Sequence, residues 1–269
     1  MSVPARKLSL PFLRTVTAGA IALLATLGLT VPAAAAAANY VALGDSYSSG
    51  VGAGSYGDSG NCKRSANAYP QLWANAHSGT RFTFVACSGA RTGDVLNQAN
   101  SLSSATTLVT VSVGGNDAGF ADVMTDCTLG SDQSCIDRVN QAKSYATGTL
   151  PGLLDGVYAK IRQKSPNAKV VVLGYPRFYK IGGSCNAGLS DTKRSAINGG
   201  ADTLAQVTSG RASAAGFKFV DVRGPFTGHE ICSSDWWLRS LSWPVDESYH
   251  PNQNGQKLGY LPGLTAVTG

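Results

Sequence analysis

Apolar positions along the chain fall into two kinds of run. Five short segments, residues 40–43, 81–86, 108–113, 169–173 and 217–222, are rich in Val and aromatic residues. Several lack clean apolar–polar alternation, as expected of strands covered on both faces. Between them lie stretches with helical spacing: 69–77 opened by Pro70, 93–100, 135–164 with a break at Pro151, and 191–215. A last helix is expected from Asn252 or Gln253 to Leu261, closed by Pro262. Strands alternating with helices indicate βαβ units and a parallel sheet. The expected fold is therefore α/β, a three-layer α/β/α sandwich around a five-stranded parallel sheet of flavodoxin-like order 2-1-3-4-5.

The first residues belong to a different pattern. Arg6, Lys7 and Arg14 precede an apolar stretch from Ala18 to Val31, then Pro32 and six alanines. This reads as a secretory signal over residues 1–38, too short in its apolar run for a stable membrane span. A single domain is expected over 39–269, secreted to the extracellular space and monomeric. Without Arg6, Lys7 and Arg14, the 22 Lys and Arg fall to 19 against 16 Asp and Glu, a balance of only +3. No basic run remains, so nucleic acid is not an expected partner. Six cysteines, Cys62, Cys87, Cys127, Cys135, Cys185 and Cys232, follow the signal, and three disulfides are the default in an oxidising compartment. Spacing alone allows 15 pairings. No close Cys pair of the C-x-x-C kind supports a metal site, and neither metal nor cofactor is expected.

Candidate chemistry collects at the strand exits, where open parallel sheets bind ligands. Ser46 lies in GDSYSSG after the first strand, Gly89 in SGART after the second, Asn116 in GGND after the third, and His250 in HPNQNG after the fifth. A serine hydroxyl needs a base to become a nucleophile, and of the three histidines only His250 sits in a distinctive turn. The Ser46 and Gly89 N–H groups and the Asn116 amide are candidate donors to a tetrahedral oxyanion. Bland alternatives exist for each block alone: a strand-exit serine, or Asn116 and Asp117 capping the following helix. The position two after Ser46 is Ser48, not the glycine of G-x-S-x-G, so this is not that nucleophile elbow. Gly50, Gly52 and Gly54 have the wrong spacing for a dinucleotide loop.

Four blocks in this order resemble the SGNH (GDSL) hydrolase family, especially the secreted lipases and esterases of actinomycetes, over essentially the whole chain beyond the signal. The resemblance implies Ser46 as nucleophile, His250 as general base, and Ser46, Gly89 and Asn116 as the oxyanion hole, acting on lipid or other acyl-ester substrates. It also implies the pairs Cys62–Cys87, Cys127–Cys135 and Cys185–Cys232, which agrees with their placement on loops after neighbouring strands. Phospholipase A1-type acyl hydrolysis, polysaccharide deacetylation and a non-catalytic binding module are the alternatives.

The chain departs from the family pattern in one place. An Asp is usual three residues before the histidine, and here Glu247 stands there, with Asp246 one residue earlier. Glu247 and a main-chain carbonyl are equally good acceptors for the imidazole N–H. Trp236, Trp237 and Trp243 cluster before the histidine loop and suggest an apolar wall for an acyl chain, which Phe178, Tyr179 and Ile181 would extend into a groove, or an interfacial contact, against the plainer reading of local packing under a loop.

Overall fold

The computed structural model describes residues 37–185 and 189–269, together with 1–5, 7–10 and 12. The apolar stretch of the expected signal, Ala18–Val31, lies outside the described residues. From Ala36 to Gly269 the chain folds as one unit. Five strands, β1 (Asn39–Ala42), β2 (Arg81–Phe84), β3 (Leu108–Val111), β4 (Lys169–Leu173) and β5 (Lys218–Val220), form a wholly parallel sheet of order β2-β1-β3-β4-β5. Val41 pairs with Thr83 on one side and Val109 on the other, so β1 is central to the half of the sheet that carries the site.

Burial explains the unalternating pattern. Every residue of β3 is buried and so are Val170–Leu173 of β4, because helices cover both faces of the sheet. The edge strands β2 and β5 instead turn Arg81 and Lys218 to solvent, a charged blunting that discourages further strand pairing. On one face α2 (Tyr69–Ala76) packs against α8 (Leu261–Thr268). On the other lie α3 (Thr92–Gln98), α6 (Leu150–Lys164) and α7 (Asp191–Ala214), with α5 (Asp132–Gly148) packed on α7 and α4 (Phe120–Leu129) packed on α5.

Three helical expectations change. The 135–164 stretch is two helices that meet at Thr149, with Pro151 in the first turn of α6, where its missing N–H costs no hydrogen bond. Pro262 likewise opens α8 rather than closing a helix, and a π-helical run over Gly255–Tyr260 precedes it. Helix α4 was not expected, although Phe120, Val123, Met124 and Cys127 carry the spacing of one apolar face.

The three disulfides are Cys62–Cys87, Cys127–Cys135 and Cys185–Cys232. The first ties the loop after α1 (Ser46–Ser49) to the exit of β2, and the second closes the turn between α4 and α5.

Candidate active site

Parallel strands deliver their carboxyl ends to one edge, so residues from separate exits meet there without any being neighbours in sequence. Ser46 opens the short helix α1, whose N-cap is Asp45: the carboxylate accepts from the Tyr47 N–H at 3.0 Å. That carboxylate is buried and also accepts from Ser112 Oγ at 2.7 Å and from the Tyr175 hydroxyl. Burial outweighs these hydrogen bonds and lifts its pKa to about 6. The network fixes the backbone under the nucleophile from β1, β3 and the exit of β4 at once.

His250 arrives from the far end of the chain. Its loop is held by the Arg239 N–H donating to the His250 carbonyl at 2.8 Å and the Tyr249 N–H donating to the Arg239 carbonyl at 2.9 Å. Tyr249 has φ +65°, a strained angle for a non-glycine residue, and the Tyr47 hydroxyl holds its carbonyl at 2.7 Å. Gly52 supplies the complementary surface: a Cβ there would lie 2.9 Å from the Pro251 carbonyl oxygen and 3.0 Å from His250 Cβ. Gly52, within the run that does not fit a dinucleotide, thus has a packing reason.

The outcome is a buried pair. Ser46 and His250 are 6% and 9% exposed, and Ser46 Oγ lies 2.7 Å from His250 Nε2. On the other side of the ring, Nδ1 lies 2.9 Å from the Ser248 carbonyl oxygen. A carbonyl can only accept, so Nδ1 carries the proton, Nε2 is bare, and the Ser46 hydroxyl donates to it. Of the two acceptors left open for the imidazole, the structure therefore seats the main-chain one. Glu247 is engaged elsewhere: its carboxylate accepts from the Tyr56 hydroxyl at 2.7 Å and pairs with Arg239 at 3.5 Å. Burial drives the His250 pKa down to about 4, against the opposing effect of the Ser248 carbonyl. Tyr47 and Phe120 wall the ring, with centroids 5.2 and 6.5 Å away.

The candidate oxyanion donors line one cleft: Ser46, Gly89 and Asn116 all face it. Among the described residues, neither the Ser46 N–H nor the Gly89 N–H has a protein partner. Gly89 has φ +78° and open space where a Cβ would stand, so the backbone can face a substrate there. Asn116 Nδ2 donates one hydrogen to the Ala90 carbonyl at 3.0 Å. That bond fixes the amide and leaves its second hydrogen for the cleft. Asp117 does not cap the helix after it: its carboxylate accepts from the Thr92 N–H at 3.1 Å and Thr92 Oγ1 at 2.6 Å, capping α3 instead. Asp94 holds the Arg91 N–H at 2.9 Å, a loop-fixing role.

Two cavities adjoin Ser46. One is lined by Ser46 and Asn116, by Phe120, Val123 and Met124 of α4, and by side chains of α5 and α7 that include Ala146 and Ala201; it is apolar. The other is a more open cleft lined by Ser46, Gly89, Asn116, Ser248 and His250, with Leu129, Leu241 and Val245 at its rim. The tryptophan wall is not found. Trp237 stacks on His229 at 3.6 Å, and the Trp236 and Trp237 carbonyls accept from Asn252, pinning the histidine loop from behind. Of Phe178, Tyr179 and Ile181, only Phe178 lines the apolar cavity. Among the described residues there is no group of three or more His, Cys, Asp or Glu placed to hold a metal, and no helix long and apolar enough to cross a membrane.

Residues 42–258 match the model of the GDSL-like lipase/acylhydrolase family. The chain belongs to that family. As a member of it, the protein is a carboxylic ester hydrolase, similar along most of its length to several proteins. Lipase 1 of Streptomyces coelicolor is 61% identical over 236 residues, covering 87% of this chain and 88% of that protein. The crystal structure of an extracellular lipase from Streptomyces rimosus superposes with a TM-score of 0.84 at 58% identity, over 86% of this chain and 100% of that one. That of phospholipase A1 from Streptomyces albidoflavus gives 0.84 at 59% identity, over 86% and 99%.

Proposed function

We propose that this GDSL hydrolase is a secreted enzyme that cleaves acyl esters of lipids through a Ser46 acyl-enzyme, with His250 as general base. The observation that carries the reading is the Ser46 Oγ to His250 Nε2 contact of 2.7 Å at the mouth of an apolar cavity. Ser46 Oγ attacks the ester carbonyl while its proton passes to Nε2, and the Ser248 carbonyl stabilises the imidazolium through Nδ1–H. The Ser46 and Gly89 N–H groups and the Asn116 amide receive the developing oxyanion. His250 then returns the proton to the leaving alkoxy oxygen as the acyl–oxygen bond breaks. Water, deprotonated by the same Nε2, releases the fatty acid and restores Ser46.

The position of the acid assigns the two cavities. The leaving oxygen must lie within reach of His250, which lines the open cleft and not the apolar cavity. The alcohol portion therefore occupies the cleft, and the acyl chain enters between α4, α5 and α7. Extracellular action is supported by the Streptomyces rimosus relative, described as an extracellular lipase, and by the basic–apolar–alanine pattern of residues 1–38. Phospholipase A1-type cleavage is the second reading, supported by the 59% identical phospholipase A1 of Streptomyces albidoflavus.

An organophosphonate labels the secreted protein once, at Ser46, and abolishes release of fatty acid. Triglyceride, phospholipid and p-nitrophenyl esters of graded length, assayed in parallel, then rank the substrates. Retention of full lipid hydrolysis by Ser46→Ala overturns the mechanism. Labelling without hydrolysis of any lipid ester overturns the substrate class.

A further inference from the structure

The cleft that takes the alcohol portion opens through an apolar rim. Leu129, at the end of α4, and Leu241 and Val245, on the loop before the histidine, line the cleft, and Trp243 lies between the last two in the chain. These four are 82%, 51%, 87% and 58% exposed. Scattered apolar residues on a surface need no explanation, but apolar residues gathered around one opening mark a contact surface. The loop that carries three of them is fixed: Ser248 Oγ accepts from the Ser242 N–H at 2.9 Å, and Lys63 pairs with Asp246 at 2.5 Å. Ser248 is also the residue whose carbonyl orients His250, so rim and catalytic base share one anchored segment.

Charge decides which occupant fits. Around the rim, Lys63 is paired with Asp246, Arg239 with Glu247, and Arg138 with both Asp122 and Asp126. These groups carry no basic excess that would draw the face to an anionic surface. We infer that Leu129, Leu241, Trp243 and Val245 seat the enzyme on an uncharged or zwitterionic lipid–water interface, with the mouth of the Ser46 cleft facing the lipid. Trp243 is the principal anchor, since an indole has an apolar body and a polar N–H suited to the boundary of lipid and water. The inference builds on the lipid-ester reading above but concerns binding, which is measured without turnover.

The test uses the full-length secreted protein as Ser46→Ala, sedimented with phosphatidylcholine vesicles and with vesicles containing phosphatidylglycerol. The expected result is partition onto phosphatidylcholine that is unchanged at high salt and falls about tenfold or more when Trp243→Ser is added. Brominated phosphatidylcholine quenches the fluorescence of Ser46→Ala and does so much less once Trp243→Phe is added. In the active background, Trp243→Ser keeps kcat/KM on dissolved p-nitrophenyl acetate within about twofold of the parent, while apparent KM on dispersed lipid rises. Failure of Ser46→Ala to sediment with phosphatidylcholine overturns the docking surface, as does partition indifferent to Trp243→Ser or confined to anionic vesicles at low salt. Docking failure with intact lipid hydrolysis leaves the enzymatic reading standing, and vesicle binding without hydrolysis of any lipid ester sinks that reading alone.

Discussion

The Ser248 carbonyl at 2.9 Å from Nδ1 places the orienting function of the site on the main chain, beyond the reach of side-chain replacement. Glu247→Ala is therefore expected to keep kcat within about tenfold of the parent, where loss of a true triad acid costs roughly 10⁴. The same variant leaves the half-buried Tyr56 hydroxyl without its Glu247 acceptor, so a loss of about 1 kcal/mol in urea denaturation should accompany the retained activity. A kcat loss of several thousandfold in a variant that remains folded contradicts the assignment. Burial of His250 carries a second expectation. Only the neutral imidazole accepts the Ser46 proton, and its pKa is lowered from the ordinary 6.5 to about 4. The acidic limb of kcat/KM on a dissolved ester should thus fall near pH 4, well below 6.5. The linked contribution to stability has the same direction: it is present above pH 6.5 and is lost as pH falls toward 4, because the unfolded imidazole binds the proton first. Asp45 acts oppositely. Its folded pKa is raised to about 6 from 3.8, so its contribution is present below 3.8 and lost as pH rises through 6.

On the proposed reading, helices α4, α5 and α7 line the acyl side of the site. Their small residues make the room: Ala146 of α5 and Ala201 of α7 both line the apolar cavity. Ala201→Leu adds volume there while keeping a good helix former. The chain-length profile on p-nitrophenyl esters should shift toward short acyl groups, with kcat/KM for acetate little changed and that for long chains reduced about tenfold or more. Equal loss at all lengths would place the acyl chain elsewhere. Helices over the α5 and α7 segments and a place for Phe178 in the groove were legible in the chain, but the cavity between the helices was not. The apolar face of α4 was present in Phe120, Val123, Met124 and Cys127 but spans only three turns. The sequence pointed instead to Trp236 and Trp237, whose side chains pack behind the histidine loop.

At the scale of the molecule, the parallel sheet gathers the site and the cross-links hold it. Cys62–Cys87 closes a span of 25 residues and ties the loop beyond α1 to the exit of β2, next to Gly89. The Ser88 N–H also donates to the Cys62 carbonyl at 3.1 Å, so the cross-link adjoins Gly89, the proposed oxyanion donor. Replacing both cysteines by Ala is expected to lower stability by about 3 kcal/mol on a chain-entropy basis, seen as a lower urea midpoint. It should also lower kcat more than KM changes, because the Gly89 loop then drifts from the place where charge develops. Unchanged kcat in the folded variant would show that the loop is held by its hydrogen bonds alone.

Strand pattern was legible in local periodicity, and the sheet order and the candidate residues Ser46, Gly89, Asn116 and His250 in the resemblance that four short motifs at strand exits carry together. The partner of the imidazole, the helix that Asp117 caps and the cavity for the acyl chain were decided only by tertiary structure. Ser248 is only two residues from His250, and Thr92 is 25 from Asp117, but which acceptor each donor reaches depends on loop conformations held by distant segments, as Tyr47 holds the Tyr249 carbonyl. The cavity depends on helices meeting across the face of a sheet, and neither is encoded in the spacing of residues along one segment.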